Sequence, residues 1–217
     1  MVLPETSLAV EAHPRLDLGT IIVTFDRPLA ALGSPAWLSE LLRADAPGAT
    51  LASTDEVRAR IRDLLRAGGY KPTGRGKPAS EYLLKAASDG SLTSINVAVD
   101  LGNAVSLHSG LPISVVDLDR VEPPLGVGLA AAGASYVFNS AAQTIDLEGL
   151  LCLHDASGPC ANAVKDSMRS KTRDETTRVL VLVWGSRDLE GRSAHATRWL
   201  GELAERAGAR AEAPRLR

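Results

Sequence analysis

The chain reads as one α+β domain, on three observations. Apolar residues recur at helical spacing up to about residue 110 and again after Gly185. Between Ile113 and Val183 the texture changes to short β-prone runs, ISVVDL, SYVFN, LLCLH and VLVLVW, with Gly, Pro and Asn-Ser punctuation between them. Over 217 residues no internal repeat and no linker-like stretch divides the chain, so residues 1–217 are taken as a single domain.

Residues 20–25 (TIIVTF) read as a buried strand and Pro35–Arg43 as a short helix. Ser53-Thr-Asp-Glu56 matches a capping box, which predicts a helix whose buried stripe is Val57, Ile61, Leu64 and Leu65 and whose stop is Gly68-Gly69. Residues 70–78 (YKPTGRGKP) are a Gly/Pro-rich loop, and Pro78-Ala-Ser80-Glu81 opens a helix to about Ala87. A further helix follows and ends at Gly110-Leu-Pro112. The last helix, about 189–207, carries Trp199, Leu203 and Ala207 on one side, and the Ala/Arg-rich tail after Gly208 is expected to fray.

Composition bounds the function. Hydrophobic residues make up 45% and charged residues 23%, as in an ordinary globular protein. The net charge of −2 excludes capture of nucleic acid by the molecule as a whole, so any such role needs a local patch. No apolar run approaches the length of a bilayer span, and the N-terminus lacks a basic start followed by an apolar stretch. A reduced, cytoplasmic protein without a membrane partner is expected.

The most unusual helix is the one that begins near Ile95. Asn96, Asp100, Asn103 and Ser106 fall at spacings of four, three and three, which places them on one stripe among Val97, Ala98, Leu101 and Val105. Short polar side chains are indifferent helix formers, so this face is holding something polar. They either line a pocket and bind substrate or bond buried backbone groups. Lys165, Asp166 and Ser167 offer a cation, a carboxylate and a hydroxyl in sequence. Such a set can clamp an ammonium ester or position a water for general-base attack, and it is also a commonplace turn.

Residues 58–85 carry eight basic side chains against two acidic ones. Within them Arg58, Arg62 and Arg66 read as a solvated helix face, and Lys71, Arg75 and Lys77 as contacts for RNA phosphates. Cys152, His154, Asp155 and Cys160 crowd into one loop without the second pair of ligands that a zinc site draws from a separate element, so the thiols are read as small buried hydrophobes. Gly126-x-Gly128 lacks the strand–turn–helix setting of a dinucleotide loop. No metal and no cofactor are expected.

The segments KPASEYLL (77–84), INVAVDLGNAVSLHSGLPISVVDLDRV (95–121) and KDSMRSKTRDETTRVLVLV (165–183) together resemble one family, the tRNA-editing B3/B4 domain of the phenylalanyl-tRNA synthetase beta subunit. More closely, the chain resembles free-standing proteins built from that domain. The Asn-x-x-x-Asp-x-x-Asn block, Leu-Pro with Asp117, and Thr176-Thr177 arrive in the family's order, and the likeness runs from about Arg62 to Gly185. It implies an α+β fold, a mixed or antiparallel sheet flanked by helices, with a cleft between the stripe helix and the later sheet. In the synthetase that cleft admits the 3′ end of a mischarged tRNA and hydrolyses the wrong aminoacyl ester.

Two departures follow from the same alignment. Ser114 stands where the family's editing histidine lies, and Arg169 stands near its glutamate. Lys165-Asp166-Ser167 resembles an Arg/Lys-Asp-Ser element of the free-standing relatives, followed by Arg169 and Lys171, which extend the set of RNA contacts. The expected function is therefore a trans-editing hydrolase of aminoacyl-tRNA acting in translation quality control, with chemistry rebuilt around Lys165, Asp166, Ser167 and Ser114. Two alternatives stand beside it: a non-catalytic module binding tRNA or a free amino acid, and a hydrolase or binder of a small amino-acid derivative. The hydrolase reading expects Asn103, Ser114 and Lys165–Ser167 to face one cavity, and their dispersal would weigh against it.

Overall fold

The computed structural model describes residues 6–217, and residues 1–5, part of the N-terminal segment read above as carrying no leader, lie outside the described residues. Two strands open the fold, β1 (Ser7–Val10) and β2 (Leu16–Thr24). Four helices follow: α1 (Ala36–Leu41), α2 (Asp55–Arg66), α3 (Ala79–Ser88) and α4 (Val97–Ser109). Next come β3 (Ile113–Asp117), β4 (Leu125–Leu129), β5 (Ser135–Val137) and β6 (Thr144–Asp146). The strands β7 (Leu151–Asp155), β8 (Gly158–Asn162) and β9 (Arg178–Ser186) lead to α5 (Arg192–Arg206) and then to β10 (Arg210–Glu212) and β11 (Arg215–Leu216).

These strands form two main sheets. One is mixed, in the order β11-β1-β4-β7-β8, with β1 parallel to both β11 and β4. The other, β10-β2-β9-β3, is antiparallel throughout, and β5-β6 is a separate hairpin. The predicted α+β class holds, with mixed and antiparallel pairing divided between two sheets. None of the described helices is long and apolar enough to cross a membrane.

Strand alternation in β9 organises the interior. Val181 and Val183 lie opposite Val115 and Ile113, on the face where Gly102 of α4 and the N-terminal turn of α5 press close. Leu180, Leu182 and Trp184 point the other way, toward α2 and the second sheet, and Trp184 shares that space with Leu64, Leu65 and Ala163. A strand buried on both faces has no polar side to show, which is why 179–184 reads as an unbroken apolar run. The predicted stripe of α2, Val57, Ile61, Leu64 and Leu65, is buried as a set.

Several local readings are corrected. The N-cap of α2 is Thr54, whose side chain accepts from the Val57 amide at 3.3 Å, one residue later than the capping box places it. The tail beyond Gly208 is not frayed: β10 pairs with β2 and β11 with β1, so backbone pairing rather than apolar content orders it. Gly126-x-Gly128 lies within β4, one of the strands too short and Gly-rich to register in the sequence, as β8 also is.

Gly110 caps α4 in the left-handed region, at φ 71°, and a Cβ there would lie 2.7 Å from Ser53 Oγ and 2.9 Å from Val57 Cγ1. Gly110→Ala therefore combines left-handed strain with overpacking, and chemical denaturation should show a loss of about 2–4 kcal/mol. A loss below about 0.5 kcal/mol would mean that the cap is not under this constraint.

Candidate functional site

The stripe on α4 divides by partner. Asn96 is the N-cap: its Oδ1 accepts from the Val99 amide at 3.0 Å and its Nδ2 donates to Thr172 Oγ1 at 3.1 Å. Asp100 is fully buried and accepts from the Ser34 and Ser94 hydroxyls and, at 2.9 Å, from the Ile95 amide. Ser106 donates to the Leu111 carbonyl at 2.7 Å. These three bond the protein's own loops, and Asn103 reaches a large cavity.

That cavity is a cleft of about 1170 Å³ between α3, α4, the 70–78 loop, the β5-β6 hairpin and the segment 164–171. Lys165, Asp166 and Lys171 line it with Asn103, and Arg75 stands at its loop side. Lys71 and Lys77 share that loop without lining the cleft. Three aromatic residues that sequence reasoning missed, Tyr70, Tyr82 and Phe138, complete its apolar part. Isolated aromatics far apart in sequence leave no spacing signal.

Asp166 is the carboxylate of most interest. Its Oδ1 accepts from the Ser114 hydroxyl at 2.7 Å and from the Asn162 amide at 3.1 Å. Burial raises its pKa to about 6, against the pull of these donors and of the Lys171 charge. Lys165 places its ammonium 4.0 Å from the centre of the Phe138 ring, and burial, then the Arg75 charge, lowers its pKa. Lys171 donates to the Phe138 carbonyl at 2.7 Å.

The turn that presents these groups is built by Asn162. Its Oδ1 accepts from the Val164 and Lys165 amides at 2.7 and 2.9 Å, and its Nδ2 donates to the Tyr136 hydroxyl at 2.5 Å. Tyr136 donates in turn to the Lys165 carbonyl at 2.6 Å. A side-chain amide that mimics a backbone turn leaves an Asn three or four residues upstream of the site, a signal that the sequence did carry.

The set expected to face one cavity is divided: Asn103, Lys165 and Asp166 line the cleft, whereas Ser114 and Ser167, and Arg169 of the expected RNA contacts, face inward because each is held by an internal partner. Ser114 is fully buried on β3. Ser167 is buried and caps the short turn 168–170. Arg169 makes a two-pronged pair with Asp155, at 2.6 and 2.7 Å, and also donates to the Gly158 carbonyl at 2.8 Å. Asp117 and Thr176, two separated pieces of the sequence resemblance, meet at 2.6 Å in the interior and join β3 to the start of β9.

The remaining candidates are quiet. Cys152 and Cys160 are unpaired and buried, and burial pushes each thiol up to about 12, so neither is a thiolate at neutral pH. Among the described residues no group of three or more His, Cys, Asp or Glu is placed to hold a metal ion.

The model of the B3/4 domain family matches residues 71–196, more than half of the chain and the whole of the cleft-forming segment from α3 to β9. The chain belongs to the B3/4 domain family. As a B3/4 domain it is similar in fold to the N-terminal fragment of the phenylalanyl-tRNA synthetase beta subunit from Pyrococcus horikoshii, with a TM-score of 0.55 at 11% identity. That match covers 98% of this chain and 51% of the other, so the chain spans about half the length of that structure. At such identity the likeness speaks for the fold alone. No curated protein gives a significant sequence match.

Proposed function

We propose that the cleft receives the aminoacylated 3′ end of a tRNA and hydrolyses the ester of a mischarged amino acid. The observation that carries this reading is Asp166, a carboxylate on the cleft wall whose pKa of about 6 lies close to neutrality. A base of that strength is largely ionised at pH 7 yet still accepts a proton from an attacking water. Lys165 and Lys171 line the same wall and supply positive charge where the tetrahedral oxyanion develops, and the Asn103 amide is available to orient the ester. Arg75, with Lys71 and Lys77 on the same loop, offers a basic approach for the phosphates of a single-stranded end.

This chemistry differs from what the resemblance alone implies. Ser114 stands where the family's histidine is expected and Arg169 near its glutamate, and both are engaged inside the protein. Asp166 takes over as base in this reading, with Ser114 behind it and Ser167 holding the turn.

A deacylation assay against a panel of mischarged tRNAs tests the proposal, and at least one should be hydrolysed well above its spontaneous rate. Absence of turnover with every member would reject it. Tight, salt-dependent binding without turnover would favour the second reading, a non-catalytic tRNA- or amino-acid-binding module. The internal pairing of Arg169 with Asp155 and the replacement of the family's histidine speak for that reading. About three phosphate contacts predict a salt slope near −2, at about −0.7 per contact for a single strand.

A further inference from the structure

We infer that Trp184 and Ser114 form a hydrogen-bond relay of fixed polarity that pins one oxygen of Asp166, so that the cleft base takes its proton on the other. The inference rests on the reading of Asp166 as that base. Trp184 is fully buried on β9, and its indole Nε1 donates to Ser114 Oγ at 2.9 Å. An indole N–H can only donate, so it occupies a lone pair of the Ser114 hydroxyl and leaves that hydroxyl to donate onward. Two acceptors lie within reach, Asp166 Oδ1 at 2.7 Å and the Asn162 carbonyl at 3.2 Å, and the shorter bond to a carboxylate prevails. The Asn162 amide donates to the same Oδ1 at 3.1 Å.

Both donors to Oδ1 come from residues buried in the interior, Ser114 and Asn162. With two donors aimed at it, Oδ1 is a poor place for a proton. Oδ2 is the oxygen that neither of these donors engages, and beyond them, among the described residues, only the Val115 backbone amide bonds the carboxyl. The relay therefore orients the carboxylate and favours its charged form, and Ser114 and Trp184 are positioning residues that never touch substrate. This also accounts for a small hydroxyl at 114: a bulkier side chain would displace the indole or the carboxylate.

The surroundings permit a clean titration. Lys171 acts on Asp166 by its charge, Lys165 and Asp146 line the same cleft, and Tyr136, Cys152 and Cys160 are coupled to it from the interior. Burial raises the Tyr136 hydroxyl and both thiols, so those three stay neutral while Asp166 titrates.

The test is a carbon-detected NMR titration of the Asp166 carboxyl in the full chain without substrate, so that it reads the relay whether or not any tRNA is deacylated. Ser114→Ala removes a hydrogen bond to the charged form and should weaken the acid about tenfold or more. Trp184→Phe keeps the ring and should give a smaller shift in the same direction, because the freed hydroxyl can turn to the Asn162 carbonyl. Ser114→Cys, a weak donor, should fall between Ser114→Ala and the parent protein. An unchanged Asp166 titration in a folded Trp184→Phe or Ser114→Ala protein would overturn the relay while leaving the deacylase proposal standing. An inactive parent protein whose variants shift as stated would do the reverse.

Discussion

Asp166→Asn should lower the deacylation rate by about 10²–10⁴-fold and raise the melting temperature at the same time. The amide keeps the shape of the side chain and an oxygen to accept from Ser114 and the Asn162 amide, which now meet it at 2.7 and 3.1 Å. What it loses is the ability to take a proton from water. The pH dependence follows from the same carboxyl: activity of the parent protein should rise through about pH 6 and level off above, because only the ionised form is a base. Stability runs the other way. A folded-state pKa above the unfolded one means that the fold disfavours the ionised form, so stability falls as pH rises from about 4 to about 6 and the penalty is complete above that. Removing the charge should recover about 1–2 kcal/mol at neutral pH. A variant that is both inactive and more stable identifies a residue kept for chemistry; full activity in Asp166→Asn would exclude Asp166 as the base.

Arg169→Ala should destabilise the fold by about 3 kcal/mol, readable in urea denaturation. Asp155 has a side chain with no solvent exposure, whereas Arg169 is 34% exposed, so the lower end of the range for breaking a buried pair applies. Burial by itself would raise the Asp155 pKa. The Arg169 guanidinium and the amides of Glu122 and Ser157 outweigh it and hold the carboxyl below its ordinary value. Stability from this pair is therefore present above the usual carboxylate range and is lost as pH falls through the depressed value, and the acid side of the stability profile should flatten in the variant. Arg169→Lys should restore part of the loss, since one ammonium cannot reproduce the two-pronged geometry. If Arg169 instead served RNA, its removal would reduce the salt slope of tRNA binding and leave denaturation unchanged.

The two substitutions separate groups that sequence spacing presented as equals. Lys165, Asp166, Ser167 and Arg169 sit within five residues, yet the first two face the cleft while the hydroxyl and the guanidinium turn inward. The α4 stripe divides in the same manner, with Asn103 on the cleft and Asn96, Asp100 and Ser106 bonded to loops. Spacing tells which residues share a face. It does not tell what the chain returns to place against that face, and for a short polar group that partner decides everything.

The sequence by itself determined the α+β class, the helices with strong apolar periodicity, the β-prone run that becomes β9 and the family, because each is written in local pattern or in ordered motifs. Only the tertiary structure decided that there are two sheets, that the tail is a pair of strands, and that Ser114 and Trp184, 70 residues apart, stand behind Asp166. Those outcomes depend on long-range pairing, where a hydrogen bond between distant residues has no trace in the neighbourhood of either.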